Sequence, residues 1–168
     1  MLVSSHSGHF EQIRYLVGAT AELDEEMAHH LHMSGIERPV TRLPLVLAPA
    51  LDDSFEMARV LSDRALALAR GMNADPARRA LLIVGHGPNS AEEYARWMQH
   101  LRTVADSVKR WTGFRDVRVE LVRDDAPAAV RAEAVLRVRE LITLQQLATG
   151  APVFVVPVLI SKGRVSRD

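Results

Sequence analysis

Apolar residues run unbroken at two places in the chain. Ala80-Leu81-Leu82-Ile83-Val84 leads into Gly85, and Val153 to Ile160 ends close to Gly163. Continuous rather than alternating apolarity predicts parallel strands covered on both faces. Pro157 lies inside the second run and removes a ladder donor, so it belongs near a strand end or on an edge. Leu43 to Ala48 and Val117 to Val122 predict two weaker strands. Helical spacing fills the intervals. Ser54 to Arg70 places Phe55, Ala58, Leu61, Ala65 and Leu68 on one face, and Ser90 to Trp111 does the same with Tyr94, Met98, Leu101, Ala105 and Val108. Ser90 followed by Glu93 is a capping-box signature. Ala128 to Leu147 carries Val130, Ala134, Val138, Leu141 and Gln145 after Pro127, a residue suited to an early helical position. Two further helices are predicted near the start, about Gly8 to Val17 and Glu22 to Met33.

Residues 43–160 thus alternate strand and helix, which predicts an α/β fold: a parallel sheet with flanking helices, built from Rossmann-like βαβ repeats with right-handed crossovers. A faint internal repeat agrees. Asp52-Asp53 and Asp124-Asp125 stand 72 positions apart, as do Leu81–Val84 and Val153–Val156. The ends read as unfinished: Met1-Leu2-Val3-Ser4-Ser5-His6 resembles a strand tail entering a loop, and the chain stops soon after its longest apolar run. The sequence therefore divides into residues 1–42, the tail of a preceding repeat with a late strand end plus helices, and residues 43–168, an α/β lobe cut short before its last helix.

Composition narrows the chemistry. Of 168 residues, 21 are Lys or Arg and 21 Asp or Glu, leaving a formal charge of zero. That balance argues against a dedicated nucleic-acid binder, which shows a basic excess or stripe. The chain has no Cys, so disulfides, thiolate metal sites and Cys nucleophiles are excluded. A metal site here must use His, carboxylates or main-chain oxygen. No apolar run approaches the roughly 20 residues needed to span a bilayer. The expectation is a cytoplasmic protein with neither membrane nor nucleic-acid partners.

In an open parallel sheet, ligands bind outside the carboxyl ends of the strands. That rule singles out His86, in Val84-Gly85-His86-Gly87-Pro88-Asn89-Ser90. Gly85 and Gly87 let a ligand approach the backbone. The imidazole serves as metal ligand or as a base near neutrality, and the following helix start, at Ser90, suits an anionic group. Asp124 and Asp125 follow the Val117–Val122 run and read either as caps of the next helix or as hard oxygen ligands. Lys162, Arg164 and Arg167 form a basic set at the same sheet edge, suited to carboxylates. His29, His30 and His32, with Met27 and Met33, read as a solvated helix face. His9 and His100 read as surface residues, and Trp97 and Trp111 as core or interface.

The strand–Gly-His-Gly–helix element of Leu81 to Ser90 resembles the start of a sirohydrochlorin cobaltochelatase repeat, a class II, ferrochelatase-like chelatase of cobalamin biosynthesis. The stretch Val155 to Asp168 is similar to that family's late strand, and Leu2-Val3-Ser4-Ser5-His6-Ser7 to the same strand of a preceding repeat. The resemblance implies a chelatase-like fold of two α/β lobes with a tetrapyrrole and a divalent metal between them. The second lobe would lie in the same chain or in a homodimer. It implies a lyase that inserts the metal, typically cobalt, as substrate, without an organic cofactor. His86 matches the family's first His, a metal ligand and acceptor of pyrrole protons, with His6, Asp124 or Asp125 as its partners in holding the metal. The tetrapyrrole would then be bound by Gly85, Gly87, Ser90, Lys162 and Arg164. Arg164 stands where the family has its second His, and Arg123 where it often has a Glu, so a relative that binds but no longer turns over is the alternative. A phosphohistidine phosphatase also uses a strand-end His before Gly, but needs an Arg immediately ahead of it, where this chain has Gly85.

Overall fold

The computed structural model describes residues 4–159, apart from the side chain of Glu26. The chain divides into two compact units between Leu51 and Asp52. The first unit holds two short helices, α1 (Gly8–Leu16) and α2 (Glu25–Met33). Ser7 caps α1 by accepting from Phe10 N–H at 3.3 Å, and Asp24 caps α2 by accepting from Met27 N–H at 2.9 Å. His29, His30 and His32 are exposed on α2, as expected of a solvated face. Arg38 lies over the Tyr15 ring, 5.4 Å from its centroid.

The second unit carries α3 (Phe55–Gly71), β1 (Ala80–Gly85), α4 (Ala91–Thr112), β2 (Asp116–Leu121), α5 (Ala128–Thr149) and β3 (Phe154–Pro157). The strands form a parallel sheet in the order β2-β1-β3. Residues 80–83 are fully buried, as a central strand requires. The crossover through α4 moves one way across the sheet and the one through α5 moves back. Right-handed crossovers then set α4 and α5 on opposite faces. On the α4 side, Leu101, Val104, Ala105 and Val108 close the core with Leu61 and Ala65 of α3. Phe114 and Phe154 meet edge to face, with centroids 5.8 Å apart. On the α5 side, Ala134 and Gln145 are buried, and Gln145 Nε2–H donates to Leu81 O at 3.0 Å.

Three expectations need correction. Residues 43–48 form no strand. Pro44 breaks any ladder there, and Leu43 and Val46 are exposed, so nothing compensates the cost of ordering the segment. The 72-residue repeat is consequently realised in the pairing of β1 with β3 but not in a partner for β2. Burial along β3 alternates, with Phe154 and Val156 inside and Val155 and Pro157 outside. It is an edge strand covered on one face, and Pro157 is its last residue, a place that needs no donor. Trp111 is 43% exposed and packs edge to face on Phe55 with centroids 5.1 Å apart, so of the two roles expected of it, core or interface, core is ruled out.

Candidate metal-binding site

The helices that follow β1 and β2 leave toward opposite faces, so the switch point of this sheet, where open α/β sheets place their ligands, lies at the loops after these two neighbouring strands. The loop after β1 is Gly85 to Ser90, and the loop after β2 is Val122 to Pro127. Hydrogen bonding continues beyond the strand ends: Val122 N–H donates to Gly85 O at 3.0 Å and Arg123 N–H to His86 O at 2.6 Å. His86 is thereby fixed directly across from the start of the acidic turn, which Ala126 N–H closes by donating to Arg123 O at 3.0 Å.

His86, Asp124 and Asp125 come together here, with one ligand atom from each lying within 4.8 Å of the others. His86 Nε2 is 3.2 Å from Asp125 Oδ2. Its Nδ1 faces Gly87 O at 2.9 Å. A carbonyl only accepts, so Nδ1 carries the proton in that contact. Nε2 is left facing the Asp125 carboxylate, a position that either a proton on Nε2 or a cation shared by the two groups satisfies. Metal-binding imidazoles commonly donate their other N–H to a backbone carbonyl, which fixes the tautomer in this way. All three side chains are exposed, so water can complete a coordination shell and an ion can leave.

The acidic pair does not cap α5. Its N-cap is Pro127, with no side-chain hydrogen bond. Asp124 is held instead by Arg131, whose guanidinium nitrogen is 2.7 Å from Oδ1. Ser90 is the N-cap of α4: its Oγ accepts from Glu93 N–H at 3.1 Å, and the Glu93 side chain turns back to it, Oε2 accepting from the Ser90 hydroxyl at 3.0 Å. The space above the two glycines is filled by protein. A Cβ at Gly85 would lie 2.6 Å from Leu121 Cδ2, and one at Gly87, where φ is +85°, 2.7 Å from Leu121 Cβ. At both positions the absence of a side chain lets the two loops pack closely. His6 lies in the first unit, where its N–H donates to Ser4 Oγ at 3.1 Å. Lys162, Arg164 and Arg167 lie outside the described residues.

Behind the loops lies a polar cluster that the sequence did not disclose. Glu120, buried on β2, accepts from Tyr94 O–H at 2.7 Å and from Leu121 N–H at 2.9 Å, and Arg137 Nε is 3.5 Å from its other oxygen. Burial pushes the Tyr94 phenol above its ordinary range, the bond to Glu120 adds to this, and Arg137 opposes it. The guanidinium carbons of Arg123 and Arg137 lie 5.1 and 5.5 Å from the Tyr94 ring centroid. The available signal was a carboxylate set inside an otherwise apolar strand end. His100 departs from its expected surface role, being half-buried with Nδ1 3.5 Å from Asp52 Oδ1. No helix among the described residues is long and apolar enough to cross a membrane. Comparison with protein-family models, curated proteins and solved structures gave no match for this chain.

Proposed function

We propose that this chain forms a lobe of a cytoplasmic metal-chelating lyase that inserts a divalent ion, cobalt foremost, into sirohydrochlorin or a related tetrapyrrole. The observation that carries the reading is the convergence of His86, Asp124 and Asp125 at the sheet's switch point, with His86 Nε2 directed at a carboxylate. One imidazole and carboxylate oxygens suit borderline divalent ions. Their exposure favours an ion that is held and then released, as a metal substrate must be. In the reaction the ion enters the macrocycle, two pyrrole N–H bonds break, and metal–nitrogen bonds form in their place. The two protons pass to bases at the site, the role proposed for His86 Nε2 and the Asp125 carboxylate, and then to water. The basic residues Lys162 and Arg164 would meet the macrocycle's carboxylates, and a second chelatase lobe, in the same chain or a partner copy, would close the cleft.

The test is metal insertion followed by absorption spectroscopy, with Co2+ and sirohydrochlorin. His86→Ala is expected to lower the rate about 100-fold or more, the range of a lost general base. Equal rates in the two proteins would remove His86 from the reaction and overturn the reading. The presence of Arg164 in place of the family's second His favours a second reading, a metal- and tetrapyrrole-binding module without turnover. Calorimetric binding of both ligands by wild type, with no insertion, would select it.

A further inference from the structure

We infer that Arg123 is the positioning residue of the metal-binding site, a clasp that holds the His86 loop in its ligating shape through that loop's own carbonyl groups. The inference rests on the metal-binding part of the proposed function and is independent of the tetrapyrrole.

Arg123 sits at φ +51°, in the left-handed region. That conformation is strained for a residue with a side chain, so it persists only where surrounding contacts enforce it. Here they are the loop itself. Arg123 N–H donates to His86 O. Its guanidinium Nε–H donates to Pro88 O at 2.9 Å, and a terminal N–H to Asn89 O. Gly87 O is taken by His86 Nδ1. The carbonyls of His86, Gly87, Pro88 and Asn89 are therefore all accounted for, and all but Gly87's are held by Arg123. With those carbonyls held by Arg123, the His86 ring is exposed beside Asp125.

The same residue opens the acidic turn, since Arg123 O accepts from Ala126 N–H. Arg123 thus joins the loop that carries the imidazole to the turn that carries both carboxylates. The residue is 8% exposed and its guanidinium stands over the ring of Tyr94, whose hydroxyl donates to Glu120. A planar fork reaches two successive carbonyls from one position, whereas a lysine ammonium is a single point donor on a flexible stem. Arg123 Cγ also lies 3.3 Å from where a Cβ on Gly87 would stand, so the stem fills the space that glycine leaves.

The experiment compares wild type, Arg123→Lys and Arg123→Met, with Arg118→Met, earlier on β2, as control. Co2+ alone is titrated and followed by its visible spectrum. Hydrogen exchange of the amides from His86 to Ser90 and the ring 15N shifts of His86 are measured on the same proteins. Both Arg123 variants are expected to bind Co2+ about ten- to a hundredfold more weakly, the usual effect of losing a group that orients a metal ligand. They should also lose the preference for a proton on Nδ1 and exchange the loop amides faster, while Arg118→Met matches wild type. Failure of Arg123→Lys to restore affinity separates the fork from simple charge, and Arg123→Lys decides the question if Arg123→Met does not fold. Wild-type affinity, tautomer and exchange in Arg123→Lys would overturn the clasp. If wild type binds no Co2+, the metal reading falls, and the clasp is then judged on exchange and 15N shifts alone.

Discussion

The two long helices of the second unit are alike in outline and opposite in how they are held. α4 and α5 are each 22 residues long, and each ends on a glycine in the left-handed conformation, Gly113 and Gly150. α4 begins on a side-chain cap, Ser90, and buries Met98, Leu101, Val104, Ala105, Val108 and Thr112 along one side. α5 begins without a side-chain cap and buries only Ala134 and Gln145, leaving Leu136, Leu144 and Leu147 exposed. The difference is visible in how the apolar residues are distributed. In α4 they recur on one stripe opposite charged residues, whereas in α5 they surround the helix. The lesson is functional as well. Because α5 is not capped by the acidic turn before it, the Asp124 and Asp125 carboxylates face Arg131 and His86 instead of a helix end. A weakly anchored helix start leaves donors for a site.

Four substitutions probe this contrast. Leu101→Ala should cost about 3 kcal/mol in urea unfolding, since it opens a cavity in the packed face of α4. A cost under about 1 kcal/mol would mean that α4 is no better held than α5. Ser90→Ala should cost about 1 kcal/mol by removing the bond to Glu93 N–H, and an unchanged midpoint would show that the cap contributes nothing. Leu136→Ala should change stability by less than about 0.5 kcal/mol, as expected of an exposed position; a core-sized loss would mean that this face is covered in solution. The finest probe is pH. Tyr94 of α4 and Arg137 of α5 meet at Glu120, and the phenol is raised above its ordinary value of 10.0. A raised folded value means that the folded state holds the proton longer than the unfolded one. The stability this supplies is complete below pH 10 and is lost as the pH climbs through the folded value. The stability difference between wild type and Tyr94→Phe should therefore be constant below pH 10 and shrink above it. A gap that stays constant through the alkaline range would remove the phenol from the account.

Much of the architecture is legible along the chain because its signals are local. The unbroken apolar run at Ala80 to Val84, the Ser90–Glu93 cap and the stripe through Leu101 each depend on neighbours within a few residues. Segment 43–48 shows the opposite case. Its apolar residues satisfy a strand pattern, but a strand exists only if another chain segment pairs with it, and no local feature reports that. The site divides in the same way. The position of His86 follows from the strand-end rule, and the approach of Asp124 and Asp125 follows from β2 lying beside β1. The role of Arg123 does not follow, because it depends on a left-handed backbone and on carbonyls 34 and 35 positions away. Glu120, Tyr94 and Arg137 come from three separate elements, and only the folded chain brings them together.

The strand order has a bearing on assembly. β1 pairs with β2 from residue 80 to residue 116, but with β3 only from residue 81 to residue 154. In synthesis the first ladder can close, and the two site loops can zip together beside it, while the third strand is still being made. Doubling the intervening length adds only about 0.6 kcal/mol of closure entropy. The late strand is thus disfavoured little at equilibrium by its greater distance along the chain, and the loops that carry the imidazole and the carboxylates both belong to the ladder that spans the shorter one.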